Sequence, residues 1–315
     1  MISYVVRRIL FLIPILFTAS IIVFLIGHSM PGDPASIMLG TEAADPEKLE
    51  SARRQLGLDQ PLYVQYFDWI SGVVQGDLGF SLRTEKPISN LILNRFPYTI
   101  ELAVYALLMA LIIAIPVGTL SAALDSKVLE WVVQIIMLAG MSIPAFWSGI
   151  VAILFFSVYL DIFPLVNFPH IWEAPAQNLF SLFLPALVLA IPNAAVFTRM
   201  ARSSSLESLQ EDYIRTARAK GLTETRVLFK HLLKNALIPL VTLIGIRMGY
   251  LLGGSVIIEQ VFSIPGLGRL GVQAIFQRDY PVFQSMVLII TASFVIVNLV
   301  VDILYAYIDP RIRYS

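Results

Sequence analysis

The sequence predicts an all-α polytopic membrane protein with six transmembrane helices. Its 315 residues are 57% hydrophobic and 14% charged, whereas soluble domains carry about 25% charged residues. Six separate runs of about 18 or more predominantly apolar residues are each long enough to cross the hydrocarbon core as a helix. The loops between these runs differ strongly in lysine and arginine content, which is typical of membrane proteins with a fixed orientation.

The six predicted helices follow directly from these apolar runs. The first run comes after Arg7 and Arg8, as in a signal peptide, but it is long enough to span and no small-residue cleavage site follows it, which favours a retained helix. Pro185 and Pro192 interrupt the fourth run, and such prolines are tolerated where neighbouring helices satisfy the freed carbonyls. The predicted limits are Ile9–Gly27, Thr99–Ala123, Trp131–Leu160, Leu179–Thr198, Ala236–Ile258 and Ser285–Tyr307.

The distribution of basic residues predicts the orientation. The loop after the third helix has no lysine or arginine, and residues 259–284 carry only Arg269 and Arg278. Placing both termini in the cytoplasm makes every basic cluster cytoplasmic. These clusters are Arg7 and Arg8; Arg199, Arg202, Arg215, Arg218, Lys220, Arg226, Lys230 and Lys234; and Arg311 and Arg313.

This orientation makes residues 28–98 an extracytoplasmic insertion. Within it, Asp45 as N-cap and Pro46 at the first helical position predict a helix to Leu56, which Gly57 ends. The aromatic residues of a second amphipathic stretch, Pro61–Val74, favour a small core over a membrane-interface belt. The predicted organisation is an N-terminal tail and first helix (1–27), the insertion (28–98), a transmembrane core of helices two to six (99–308) with a cytoplasmic loop (199–235), and a cytoplasmic tail (309–315).

Several functional classes find little support in the residues. The net charge is zero, which does not suggest nucleic acid binding. Absence of cysteine excludes disulfides and thiolate metal sites, and the three histidines lack ligand spacing. Gly266–Gly271 matches GxGxxG but follows Pro265 in a loop between membrane helices, where turn and packing glycines suffice. Ser142, just before Pro144, is better explained as a packing serine at a proline kink than as a nucleophile.

The hairpin Glu211–Pro239 is the polar segment with the clearest pattern. A helix starting at Asp212 has a basic last turn followed by Gly221, as expected of a C′ glycine. It would place Tyr213, Ala217 and Lys220 on one side. Thr223 then suits the N-cap of a second helix towards Asn235. The segment is therefore either a two-helix knob that docks on a partner or a basic loop that lies on anionic lipid.

One charged residue lies in the middle of a predicted span. Charged groups within apolar spans are costly and often functional, and Arg247 lies within the fifth helix. An ion pair with Asp302 of the sixth helix is one explanation. The other is a guanidinium that faces a cavity and meets substrate carboxylates.

The hairpin resembles the EAA loop of ABC importer permeases, in the form found in the dipeptide, oligopeptide and nickel group. Arg215-Thr216-Ala217, three further residues and Gly221 fit the EAA-x3-G core, and within the triad Ala217 keeps the family letter. Further matches to the B-type permease of that group extend along nearly the whole chain. They are Pro31–Pro34, Leu56–Pro61, Gly76–Gly79, Pro265–Gly268, Arg278–Pro281 and Asp309–Arg313.

The resemblance implies a type I importer permease in a bacterial inner membrane, working by alternating access. Its partners would be a homologous C-type permease, two cytoplasmic ATPase subunits and an extracytoplasmic solute-binding protein. ATP and Mg²⁺ would bind the ATPase subunits, with no cofactor, metal or catalytic residue in this chain. The implied coupling surface comprises Asp212, Tyr213, Arg215, Thr216, Ala217, Arg218, Ala219, Lys220 and Gly221.

The expected substrates are dipeptides or oligopeptides, with nickel or a metal chelate as the alternative. A metal would travel in chelated form, so absence of metal ligands in the permease does not separate the two. A secondary transporter is the alternative from another class, and it would usually show internal repeats and interrupted midplane helices. An intramembrane enzyme is less well supported because no catalytic set is recognisable.

Overall fold

The computed structural model describes residues 2–124, 127–163 and 167–308. In these ranges the named elements are all helical, and one isolated antiparallel bridge joins Phe80 and Pro87. Five helical stretches are long and apolar enough to cross a membrane, and one bent pair of helices raises the number to six. The prediction of an all-α polytopic protein is confirmed, whereas the predicted tail 309–315 lies outside the described residues.

The helices are numbered in chain order. A 3₁₀ turn covers Gly40–Ala44, and π-helical turns over Ile153–Tyr159 and Val227–Leu232 follow α8 and α11. The helix bounds are α1 Ile2–Ser29, α2 Pro34–Leu39, α3 Pro46–Gln55, α4 Leu62–Gln75, α5 Ile88–Leu93, α6 Phe96–Ala123, α7 Lys127–Ser142, α8 Ala145–Ala152, α9 Pro175–Leu209, α10 Asp212–Ala219, α11 Glu224–Arg226, α12 Leu233–Ala236, α13 Ile238–Gly254, α14 Val256–Val261, α15 Leu267–Gln277 and α16 Tyr280–Ile308.

The third predicted span is not a single straight helix. Its two arms, Trp131–Ser142 and Ala145–Tyr159, lie at 95° to each other. Pro144 stands in the break, and proline cannot donate the backbone hydrogen bond that would continue α7. The proline kink is therefore confirmed. Ser142 is not packed within this chain, because its side chain is exposed and its Oγ donates to the Leu138 carbonyl at 2.8 Å.

The fourth predicted span is too short. It was predicted to end at Thr198, but α9 continues to Leu209, so residues 199–209 of the predicted loop are helical. The arginines and serines in residues 199–209 lower the hydropathy, so the apolar run ends before the helix does. The helix still packs within the protein there, because Ala201, Ser204 and Ser205 are buried. A Cβ on Gly118 of α6 would lie 2.7 Å from the Ala201 Cβ, so the two helices touch closely beyond the apolar run.

The helices α6 and α9 form the centre of the bundle. Small residues recur on the facing sides of both helices, which lets the two backbones approach closely. On the other side of the bundle, α16 packs against α1 and α13. A Cβ on Gly245 of α13 would lie 2.6 Å from Val301, so this contact also depends on a small residue. The buried alanines of the central pair are Ala103, Ala106, Ala110 and Ala114 in α6 and Ala186, Ala190 and Ala194 in α9.

The insertion between α1 and α6 contains short helices, as its capping residues predict. The Asp45 carboxylate accepts a 3.0 Å hydrogen bond from the Glu47 amide at the start of α3. Of the aromatic residues in α4, Tyr66 is buried and its hydroxyl lies 2.8 Å from the Ser20 Oγ of α1. Tyr63 and Phe67 are exposed. The predicted small core therefore includes Tyr66 but not these two residues.

Candidate functional site

The hairpin after α9 folds into a compact unit of two helical arms, which we call the knob (residues 211–236). Its first arm is α10, and its second arm runs from α11 through a π-helical turn to α12. The arms are joined by a core in which Ile214, Val227 and Leu232 are fully buried. Ala217 and Ala236 complete this core. The predicted short helix, glycine turn and second helix are present.

Gly221 forms the turn between the arms. Its φ of +75° is in the left-handed region that favours glycine. The Gly221 amide donates to the Arg218 carbonyl at 2.9 Å, and the Leu222 amide donates to the Ala217 carbonyl at 3.4 Å. This pair of bonds is a Schellman motif, with Gly221 at C′ and Leu222 packed on the knob core. The predicted C′ glycine is confirmed.

One detail of the predicted knob is wrong. Lys220 does not lie on the inner face with Ala217: it is exposed, while Ile214 lies beside Ala217 in the core with Tyr213 partly buried. The i,i+3 spacing of Ile214 and Ala217 places these two residues on one side of α10, whereas Lys220 lies beyond the last helical residue, at the C-cap. The predicted N-cap position is confirmed, because Thr223 directly precedes α11, although its side chain accepts no capping hydrogen bond.

The outer surface of the knob is polar and mostly basic. Arg218 forms a two-pronged ion pair with Glu224 across the turn, with N–O distances of 2.8 and 3.1 Å. Arg215 lies 3.5 Å from Asp212. Exposed pairs of this kind contribute little to stability, so these side chains are available to a partner. The exposed predicted site residues are Asp212, Arg215, Thr216, Arg218, Ala219 and Lys220.

The knob is joined tightly to the membrane helices. Leu209, at the end of α9, packs against the knob core. The second arm ends in α12, which contacts α9. Leu237 alone separates α12 from α13. The knob is therefore connected to α9 through Gln210 and Glu211 and to α13 through Leu237, so both connections are short.

Arg247 does not pair with Asp302. The Asp302 carboxylate instead forms a 2.8 Å ion pair with Arg8 of α1, so of the two alternatives for Arg247 the ion pair with Asp302 is wrong. α13 turns Gly245 and Gly249 towards α16, which leaves Arg247 half-buried on another side, next to an exposed stripe that includes Ile246 and Tyr250. Among the described residues, Arg247 forms no ion pair.

A buried carboxylate that was not predicted from the sequence joins three helices. Glu259 of α14 is fully buried. It accepts hydrogen bonds from the Thr99 hydroxyl of α6 at 2.7 Å, the Ser255 hydroxyl at 3.0 Å and the Arg269 amide of α15 at 3.0 Å. The GxGxxG glycines serve packing, since a Cβ on Gly268 would lie 2.6 Å from Val256. An acidic residue in an apolar run is the signal that could have found Glu259.

A second buried carboxylate lies at the start of α6. Glu101 accepts a 2.7 Å hydrogen bond from the Asn178 side chain of α9, and Asn178 in turn accepts one of 2.7 Å from the Tyr105 hydroxyl. This network fixes the central helix pair. Within the described residues, no group of three or more histidine, aspartate and glutamate side chains could hold a metal ion.

Comparison with protein families gives two matches that together cover most of the chain. Residues 114–314 match the family described as the binding-protein-dependent transport system inner membrane component. Residues 1–103 match the corresponding N-terminal family. Glutathione transport system permease proteins GsiC from two strains of Escherichia coli, CFT073 and K12, are each 45% identical over 315 residues. These alignments cover the whole of both chains.

Two solved structures share the fold. Both are inward-facing conformations of the MetNI methionine ABC transporter, with TM-scores of 0.55 and 0.56. Their identity to this chain is 20% and 19%, and each alignment covers 70% of this chain and 96% of the other. This similarity confirms the importer permease fold predicted from the sequence.

Proposed function

Since the chain belongs to the binding-protein-dependent transport system inner membrane component family of ABC importer permeases, we propose that it forms the translocation pathway for small peptides. It is a multi-pass inner-membrane transport subunit rather than an enzyme, and ATP hydrolysis belongs to partner ATPases. The whole-length similarity to glutathione permeases supports a tripeptide such as glutathione, or a peptide of similar size, as the substrate.

The observation that carries the mechanism is the short connection of the knob to α9 and α13, together with the packing of Leu209 and α12. The outer face of α10 presents Arg215, Arg218 and Lys220, and ATPase subunits would bind this face. Movement of those subunits on binding ATP and Mg²⁺ would displace the knob, and α9 and α13 would move with it. The pathway would then open alternately to the two sides of the membrane.

The proposed assembly contains two permeases and two ATPase subunits. Partnership with ATPase and solute-binding subunits follows from the family. We assign the second permease to a homologous C-type chain, and the binding protein to the side of the membrane on which residues 28–98 lie. In this assembly the knob is cytoplasmic and the insertion is extracytoplasmic.

The orientation can be tested by labelling single cysteines in intact cells. The chain has no native cysteine, and both Glu173 and Glu207 are exposed. We expect Glu173→Cys to react with a membrane-impermeant maleimide and Glu207→Cys to react only after the cells are permeabilised. His170 is a poorer position, because its ring is stacked between Tyr98 and Trp172. The opposite labelling pattern would reverse the proposed topology.

Arg247 is the proposed contact for substrate carboxylates. A guanidinium can bind a carboxylate through two parallel hydrogen bonds, and every peptide with a free C-terminus carries a carboxylate. The assembled transporter with its binding protein, reconstituted in proteoliposomes, should show ATP-dependent uptake of glutathione. We expect Arg247→Gln to lower that uptake roughly tenfold, the effect of losing about one hydrogen bond to a charged group.

Matched variants separate this role from a structural one. Arg247→Lys retains the charge and should keep more uptake than Arg247→Gln, while both variants should assemble normally. Asp302→Asn should not rescue Arg247→Gln, because Asp302 pairs with Arg8. Unchanged uptake in Arg247→Gln would remove this residue from the pathway. Uptake of a nickel chelate but not of peptides would favour the alternative substrate, and uptake without ATP would contradict an ABC importer.

A further inference from the structure

The helix α4 of the insertion, Leu62–Gln75, is apolar over one broad side. On a helix with 3.6 residues per turn, its large apolar side chains other than Val64 fall within roughly 160° of the circumference. This apolar arc runs from Trp69 through Tyr66 to Phe67. The opposite side of α4 carries Gln65, Asp68, Ser71 and Gln75.

Only part of the apolar arc packs within the chain. Tyr66, in the middle of the arc, is 7% exposed, and its ring centroid lies 5.4 Å from that of Phe24 in α1. Tyr63, Phe67 and Val74 share one edge of the arc and are 67%, 61% and 82% exposed. A group of exposed apolar side chains on one helix face marks an interaction surface.

The contacts with α1 show which way the apolar arc faces. Gln65, on the polar side, meets the end of α1, where its Oε1 lies 3.1 Å from the His28 Nε2. The Tyr66 hydroxyl instead lies 2.8 Å from the Ser20 Oγ. Ser20 is about two turns, or roughly 12 Å, further into the candidate span Val6–Ser29. The apolar arc therefore faces the interior of the membrane, and the polar side faces away from it.

The exposed edge of α4 adjoins an apolar surface that lies within the membrane. Phe17 of α1 is 53% exposed, and its ring centroid lies 6.4 Å from that of Tyr66. Phe17 belongs to the same candidate span as Ser20. A helix with aromatic and aliphatic side chains on one side and polar side chains on the other is typical of helices that lie in the membrane interface.

We propose that α4 lies in the membrane interface, on the side of the membrane where residues 28–98 lie. Tyr63, Phe67 and Val74 contact lipid at the boundary between headgroups and acyl chains, where tyrosine and tryptophan are enriched in membrane proteins. The insertion is then anchored to the bilayer through α4 as well as through its two ends. The proposal rests on membrane embedding and not on the transported substrate.

Spin-label accessibility in the assembled transporter, reconstituted in lipid nanodiscs, tests this position. The chain has no native cysteine, so a nitroxide can be attached to single introduced cysteines. Val74→Cys and Gln75→Cys are a matched pair, because the two residues are adjacent in the chain and lie on different sides of α4. We expect the label at position 74 to collide mainly with oxygen, which partitions into lipid, and the label at position 75 mainly with water-soluble chromium oxalate.

Two exposed positions supply the reference values. Ile22→Cys lies in the span of α1, where the side chain is 51% exposed, and gives the lipid value. Glu50→Cys lies on α3, where the side chain is 53% exposed, and gives the water value. We expect position 74 to resemble position 22 and position 75 to resemble position 50.

A charge variant tests whether lipid contact holds α4 in place. Phe67→Glu puts a carboxylate on the exposed apolar edge, and hydrocarbon disfavours charge. Collisions of the label at position 74 with chromium oxalate should therefore increase several-fold. Ser71→Glu adds the same charge on the polar side, where Ser71 is exposed, and should leave the label at position 74 unchanged.

Three outcomes would overturn the proposal. Equal collision with chromium oxalate at positions 74 and 75 would place the apolar edge in water. Protection of position 74 from both oxygen and chromium oxalate would mean that a partner protein, such as the second permease or the binding protein, covers this edge. An unchanged profile in Phe67→Glu would show that position 67 does not contact lipid.

Discussion

Replacing Gly221 with valine should uncouple the transporter while leaving the subunit in the membrane. Gly221 has φ +75°, and a β-branched residue in that conformation is strained by roughly 1–2 kcal/mol or more. No atom lies within 4 Å of the position of an added Cβ, so the strain comes from the backbone alone. The turn would open. The hydrogen bonds from the Gly221 and Leu222 amides to the Arg218 and Ala217 carbonyls would then be lost. We expect uptake and binding-protein-stimulated ATPase activity to fall about tenfold or more.

Gly76 is a matched control for this substitution. It ends α4 in the left-handed conformation with φ +86°, and a Cβ there would also meet no atom within 4 Å. Gly76→Val therefore introduces the same type of strain in the insertion, far along the chain from the knob. We expect Gly76→Val to retain coupling. Equal losses in the two variants would mean that general destabilisation, not the knob, explains the result.

Replacing Glu259 with leucine should sharply reduce the amount of folded subunit. The buried carboxylate accepts three hydrogen bonds, from Thr99, Ser255 and Arg269. Each buried donor left without an acceptor costs roughly 1–3 kcal/mol. The total is comparable with the whole stability of a typical domain, which is about 5–15 kcal/mol. Thermal unfolding of the purified protein should show a large downward shift of the midpoint.

Two further variants test whether hydrogen bonding is the cause. Glu259→Gln preserves the volume and one acceptor oxygen, so its midpoint should lie between those of wild type and Glu259→Leu. Thr99→Val/Glu259→Leu should cost less than the two single changes added together, because it removes a donor along with its acceptor. A Glu259→Leu protein as stable as wild type would show that this network does not hold α6, α14 and α15 together.

The helical architecture could be predicted because apolar runs set it directly. Asp45 and Gly221 were also predictable, since capping residues act within a few residues of chain. The end of α9 could not be predicted, because arginines and serines lower the hydropathy of its last part. Ala201 and Ser205 nevertheless remain buried there. Tertiary packing against α6 overrides the local signal there.

Only the local features of the candidate site could be predicted, because its other features also depend on tertiary packing. The segment and its turn were found, but Ile214, which anchors the knob, was not assigned to the inner face. The partner of Asp302 could not be read from the sequence, because Arg8 lies almost the whole chain away and the contact depends on how α1 packs against α16. Glu259 was missed because its partners are likewise separated by long stretches of chain.

We propose that an ATPase drives this permease through the knob. Photo-cross-linking from the knob tests this proposal. Benzophenone maleimide is attached to the variant Arg215→Cys, since the Arg215 side chain is 72% exposed. The control is Glu47→Cys, which carries the same probe on the segment 28–98. We predict that the adduct at position 215 cross-links to the co-expressed ATPase subunit, with a yield that changes when ATP is added, and that the adduct at position 47 does not. Absence of an ATPase cross-link from position 215 in an assembled, transport-active complex would show that the ATPase does not bind the knob.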